Sequence, residues 1–243
     1  MISPRHAVAG LVVALSLAAC QKAEDAAFGE RVRAYLLEHP EVIREAVAKL
    51  NEKEQLAAAK AAGELVEKHR AELERDPRDL VANPNGKVTV VEFYDYRCGY
   101  CKIAAPEVLE MVRTDPEIRV VFKELPIFGE VSDTAARIAL TAPAKAKGLE
   151  LHRRWMEEKS LDEAALDRHL RESGVDPAAA RRAAQSAEIT KHIADTRALA
   201  QALKIEGTPA FVVGDTVIPG ADMNALKAAI TQAKAADLKR PAA

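Results

Sequence analysis

The chain has 243 residues, 49% hydrophobic and 30% charged, with a formal net charge of −2. That apolar content builds a core and excludes a disordered chain; the near-balance of charge argues against a nucleic-acid partner. The length allows one large domain, or a medium domain with an accessory segment, and abundant alanine with only 4% aromatic residues favours helix.

In chain order, Arg5 and His6 precede an apolar run, Ala7 to Ala19. A bilayer core needs about 20 residues, so this run reads as the apolar stretch of an export signal, residues 1–19. It closes in Leu17-Ala18-Ala19-Cys20, which resembles the bacterial lipobox, where the cysteine is diacylated and becomes the new N-terminus. The other reading is an ordinary signal peptide with an incidental cysteine. Two or more acyl chains on Cys20 would anchor the protein stably. Among lipoproteins, Gln21 in place of Asp implies sorting to the outer membrane. Removing residues 1–19 takes away Arg5 alone, moving the charge from −2 to −3. Either reading puts the domain outside the cytoplasm, in the periplasm, where disulfides persist. Residues 20–27 form a tether.

Residues 28–76 show no strand signal. Val32, Tyr35 and Leu36 recur at helical spacing in Phe28–Glu38, and Pro40 suits the first position of a second helix. That helix is expected to reach about Arg75, roughly 50 Å, with Gly63 as the place for a bend. Its thin apolar stripe (Ile43, Val47, Leu50, Leu65 and Val66) cannot bury itself alone. The segment packs on its own domain, packs on copies of itself, or serves as a spacer.

Asn83-Pro84-Asn85-Gly86 signals a turn, followed by a buried strand, Val88 to Tyr94. Cys98-Gly99-Tyr100-Cys101 comes next, then a helix to about Arg113 and a strand from Ile118 to Glu124. A C-x-x-C at a strand-to-helix junction in a βαβ unit reads as a redox pair. Cys98 at the helix N-terminus is favoured as thiolate, the attacking species in exchange. Cys101, one turn further in, can resolve the mixed disulfide. Three cysteines are too few for a multi-bridge scaffold or a four-thiolate zinc site. Two weaker readings of the pair remain: a soft Cu(I) site, and a structural disulfide, which would constrain almost no chain entropy.

Residues 132–203 read as helices, with a capping box at Ser160–Glu163 and Asp176-Pro177 as an N-cap with proline at the first position. Gly207-Thr208-Pro209 then precedes a strand from Ala210 to Val213. Gly214-Asp215 signals a hairpin to Thr216–Ile218, and a helix from Asp222 to about Ala236 closes the domain, 77–240.

Glu92-Phe93-Tyr94-Asp95-Tyr96, the cysteine motif, the helical insert and Thr208-Pro209 together resemble the DsbA family of thiol–disulfide oxidoreductases. Tyr35-Leu36-Leu37-Glu38-His39-Pro40-Glu41-Val42 resembles the N-terminal segment of its ScsC-like (suppressor of copper sensitivity) branch. The resemblance spans nearly the whole mature chain. It implies an α/β thioredoxin fold with a helical insertion, preceded by a helical arm that can drive trimerisation. It also implies a cis-Pro209 loop whose Thr208 backbone pairs with an extended substrate beside the cysteines; the alternative is a trans proline opening an edge strand. Glu92 matches a buried acid of the family and could accept the Cys101 proton, unless it faces solvent. Lys123 and Glu124 could pair with it. Gly99 and Tyr100 border the substrate; Trp155 and Phe128 are read as core. His39, His69, His152, His169 and His192 show no ligand spacing and are read as solvated or structural.

The function so implied is disulfide exchange on cysteine-containing protein clients, with isomerase slightly ahead of oxidase. A membrane thiol oxidase or reductase would be the redox partner. The alternative is a lipoprotein that sequesters copper on its two thiols. No nucleotide, flavin or haem motif is present, and no cofactor or metal is expected.

Overall fold

In a computed structural model, residues 27–238 are described; the readings for residues 1–26 (export signal, Cys20 and tether) lie outside them. The chain divides into two compact units at Ala58/Ala59. The first holds α1 (27–38) and the first part of α2 (Glu41–Lys68). Most of its large apolar side chains are exposed, Phe28, Leu37, Ile43 and Leu50 among them.

In the second unit, α2 runs unbroken through Gly63. The break falls instead at His69, whose N–H is shared between the carbonyls of Leu65 and Val66, and a short α3 follows (Arg70–Glu74). Gly63 makes no bend, and a methyl there would fit in ordinary contact. A Cβ there would sit 3.4 Å from Asp215 Cβ, where Arg70 pairs with the Asp215 carboxylate.

A strand β1 (Leu80–Ala82) precedes β2 (Val88–Tyr94), α4 (Gly99–Thr114) and β3 (Ile118–Glu124). Helices α5 (Glu130–Ala139), α6 (Ala142–Lys145), α7 (Gly148–Glu157), α8 (Glu163–Glu172), α9 (Pro177–Ala183) and α10 (Ala187–Ala202) form the insert. The hairpin β4 (Ala210–Val213) and β5 (Thr216–Pro219) and helix α11 (Met223–Asp237) complete the unit. The sheet order is β1-β3-β2-β4-β5. Only β2 and β3 pair in parallel, joined through α4 as a parallel pair requires.

Both faces of the sheet are covered. Val90, Tyr94, Val120 and Phe122 pack with α4, α7 and α11 side chains such as Ala104, Trp155 and Leu226. Val91, Phe93 and Val121 pack with Val66, Leu73, Leu199 and Leu203 on the other face. This two-sided burial explains why β2 reads as a continuous apolar run rather than an alternating one. Gly86 permits the turn into β2: a Cβ there would meet Arg119 N at 2.6 Å and Glu117 O at 2.8 Å.

Two local expectations shift. The N-cap of α8 is Asp162, which accepts from Ala165 N–H, so Ser160 closes no capping box. Phe128 is 47% exposed and not core, because its loop runs over the surface between β3 and α5; Trp155 is fully buried. Asp176 caps α9, with Pro177 opening it.

Candidate active site

β2 ends one turn before the cysteines. The Cys98 N–H donates to Asp95 C=O (3.1 Å), and Cys98 then serves as the N-cap of α4. Cys98 Sγ accepts from Cys101 N–H at 3.3 Å and lies 3.1 Å from the Thr208 carbonyl, to which its thiol donates. Both cysteines are free thiols. The Cys101 thiol hydrogen-bonded to Cys98 is the largest influence on the latter's acidity. Burial opposes it, and the Cys101 and Tyr100 N–H groups reinforce it, bringing Cys98 down to about 6. Burial first, and the neighbouring Cys98 second, push the Cys101 thiol far above the usual range. One thiol is thus an anion at neutral pH and the other a proton carrier, the asymmetry that attack and resolution require.

Thr208 and Pro209 come from the far end of the chain. The peptide between them is cis, and Pro209 C=O accepts from Gly220 N–H at 2.8 Å, fastening the loop to β5. Thr208 Oγ1 is buried without a partner. Tyr100, 68% exposed, stands beside Cys98 at the start of α4.

Glu92 is fully buried under this turn, and neither carboxylate oxygen has a partner. Burial, and secondly the Cys98 thiolate, raise its pKa to about 8. Its expected pairing with Lys123 or Glu124 does not occur. Glu92 lies beside Phe122 in the parallel register, so Lys123, one residue on, points to the opposite face. There it donates to the buried Asp79 carboxylate and to Glu72 C=O. Glu124 shares the Glu92 face but lies beside Tyr94. It accepts from the Tyr94 hydroxyl and from the Tyr96 hydroxyl at 3.1 Å, and burial raises it to about 8.

The sequence reading named Glu124 only as a possible partner of Glu92 and did not foresee its burial against Tyr94 and Tyr96. It also left His152 undecided. That ring is fully buried with no hydrogen-bond partner, edge-on to Tyr94 at 4.9 Å, and burial pushes its pKa down to about 3. His192 meets Asp79 at 2.9 Å and Asp76 at 4.0 Å. Lys123 and Arg78 already balance those carboxylates, so this is an ion-pair network.

Residues 89–231 match the family described as a DSBA-like thioredoxin domain. The chain belongs to this family. Residues 24–57 match a second description, copper resistance protein ScsC N-terminal domain. The thiol:disulfide interchange protein DsbA of Bordetella pertussis is 32% identical over 136 residues, 53% of this chain and 64% of that one. The chain therefore spans less than two thirds of that relative's length. Among solved structures, a thioredoxin-like oxidoreductase from Silicibacter pomeroyi DSS-3 is 43% identical, with a TM-score of 0.64 over 68% of this chain and 97% of its own. Salmonella enterica Typhimurium BcfH is 33% identical, with a TM-score of 0.70 over 90% and 99%. The DsbA-like architecture accounts for the insert, α5 to α10, set between β3 and the β4–β5 hairpin.

Proposed function

We propose that the protein is a periplasmic thiol–disulfide oxidoreductase acting on cysteine-containing protein clients. The observation that carries this reading is the acidic Cys98 at the α4 N-terminus, 3.1 Å from the Thr208 carbonyl and paired with a proton-holding Cys101. In the reduced form, the Cys98 thiolate attacks one sulfur of a client disulfide. A Cys98–client bond forms, the client S–S bond breaks, and the other client sulfur leaves as thiolate. The mixed disulfide removes the Cys98 thiolate that helps hold Glu92 protonated; once ionised, Glu92 takes the Cys101 proton and Cys101 attacks Cys98. The Cys98–Cys101 bond forms, the client leaves reduced, and two electrons have passed to it. In isomerisation the client's own thiolate displaces Cys98 instead, with no net electron transfer. Oxidation of a dithiol client runs the first sequence backwards. Cys98 is the better leaving group throughout, because its thiolate is the more stable. The Thr208 backbone and Tyr100 border the groove where an extended client segment would lie.

Isomerisation is favoured over oxidation because the arm could bring several active sites to face one client. The exposed Phe28, Leu37, Ile43 and Leu50 and the match at residues 24–57 support a homo-oligomer, with a trimer as the family form. Cys20 would carry the lipid anchor, Gln21 would direct it to the outer membrane, and a membrane thiol oxidase or reductase would set the working redox state. The test is turnover of a scrambled-disulfide protein at sub-stoichiometric enzyme, lost in Cys98→Ser. A second reading, copper sequestration on the two thiols, is favoured by the copper-resistance description of the N-terminal match. It predicts stoichiometric Cu(I) binding without turnover.

A further inference from the structure

The loop between β3 and α5 carries two exposed apolar side chains, Ile127 (46%) and Phe128 (47%). It is fastened through its backbone. Asp95, only 2% exposed, accepts through Oδ2 from the N–H groups of Ile127 (2.7 Å) and Phe128 (3.0 Å). Through Oδ1 it accepts from Arg97 N–H (2.7 Å) and the Ser132 hydroxyl (2.8 Å). Arg97 Nη1 also donates to Phe128 C=O at 2.9 Å. Burying a carboxylate is costly unless it is well bonded, and charge-assisted bonds are the strong ones. These four hold the cysteine turn, the apolar loop and the first turn of α5 in one register. All four hydrogen bonds of the Asp95 carboxylate go to the turn, the loop and α5, and none to a cysteine sulfur.

We propose that Asp95 is a positioning residue for client binding, holding Ile127–Phe128 as a fixed apolar lip beside the cysteine turn. The lip suits a client segment with an apolar side chain next to its cysteine. The proposal rests on the thiol–disulfide reading above. A preset loop binds without the entropy cost of ordering it, which is the gain that rigid fastening of two exposed apolar residues would bring.

Asp95→Asn tests this. The amide can keep its oxygen toward Arg97 and Ser132 but turns an NH2 toward the N–H groups of Ile127 and Phe128, releasing the loop. Reduced protein is reacted with glutathione disulfide and with the mixed disulfide of glutathione and a short Cys-Phe peptide. The expected peptide rate falls about tenfold, while the glutathione disulfide rate stays within about twofold. Phe128→Ser gives the same selective loss, and the double variant loses nothing further. A parallel fall with both substrates means Asp95 acts through the cysteines, and a multiplied loss in the double variant means it acts apart from Phe128; either overturns the proposal. Phe128 is exposed, so Phe128→Ser keeps the test open where Asp95→Asn does not fold, and an undiminished peptide rate in it overturns the lip. Wild-type protein inert toward both disulfides defeats the thiol–disulfide reading itself, a distinct result.

Discussion

Replacing Glu92 with glutamine should change how stability depends on pH, with a slope that can be worked out. Glu92 is fully buried and unpartnered, and its pKa rises from 4.5 to about 8, through burial first and the Cys98 thiolate second. The folded protein therefore keeps this proton up to about pH 8, whereas the unfolded chain releases it near 4.5. Folding takes up a proton between those values. The contribution to stability is intact below the unfolded pKa, falls as pH rises, and levels off above the folded one. At about 1.4 kcal/mol per unit, the loss reaches about 3 kcal/mol by pH 7. Glutamine has no proton to lose. Urea unfolding of reduced wild type and Glu92→Gln at several values between about pH 5 and 8 gives the difference curve. It should rise in favour of the variant by about 1.4 kcal/mol per unit. An unpartnered buried amide displaces the whole curve without altering its slope, and Glu124, buried in both proteins, largely cancels. A flat difference across that range would refute the placement of a buried, protonated carboxyl beneath the cysteines.

Iodoacetamide should alkylate Cys98 with a midpoint near pH 6, and Cys101 not at all below pH 9; a Cys98 midpoint in the ordinary thiol range counts against the site. Because the Cys98 pKa is lowered on folding, its thiolate stabilises the reduced protein above the unfolded value of 9.0, and that gain is lost as pH falls toward about 6. Stability of reduced wild type relative to Cys98→Ala should decline accordingly. Glu92→Gln should slow resolution of a trapped Cys98–peptide disulfide by about a hundredfold at about pH 9, where Glu92 is ionised, as loss of a positioned base does; unchanged release there would remove Glu92 from the chemistry. Lys123→Met leaves Asp79 buried with its charge uncompensated on one side and should cost about 3–5 kcal/mol, with part recovered by adding Asp79→Leu. Gly86→Ala forces a methyl to within 2.6 Å of backbone and should cost about 2–3 kcal/mol in urea unfolding.

The parts legible in the sequence were those written locally. A β-branched strand running into Cys98-Gly99-Tyr100-Cys101 carries its own period and its own motif. Gly214 takes φ +58 at the hairpin its sequence announces, and Asp176-Pro177 caps α9 as spelled. Most of the misses depend on distant partners; the α8 cap, which falls on Asp162 and not Ser160, is the local exception. Strand β1 is three residues long and exists through pairing with β3, so no local period marks it. The helix breaks at His69 and runs on through Gly63, although Gly63 is the visible breaker in the sequence. A Lys123–Glu92 pair was left open by the sequence, and the pleat rules it out by sending the two side chains to opposite faces. The Glu124–Tyr94–Tyr96 cluster and the grip of Asp95 on Ile127 and Phe128 join residues about thirty positions apart. Spacing along one chain carries no signal for such contacts.

The most direct test of the redox assignment is titration of the Cys98/Cys101 pair in glutathione buffers, on protein beginning at Gln21, read by mass after alkylation of free thiols. A reversible two-electron transition between a dithiol and one intramolecular disulfide is expected. It should have the same midpoint with and without residues 28–58, which lie outside the second unit, and it should be lost in Cys98→Ser. Failure to form any reversible disulfide, with Cu(I) held by both thiols instead, would contradict an exchange enzyme and leave a metal-binding protein.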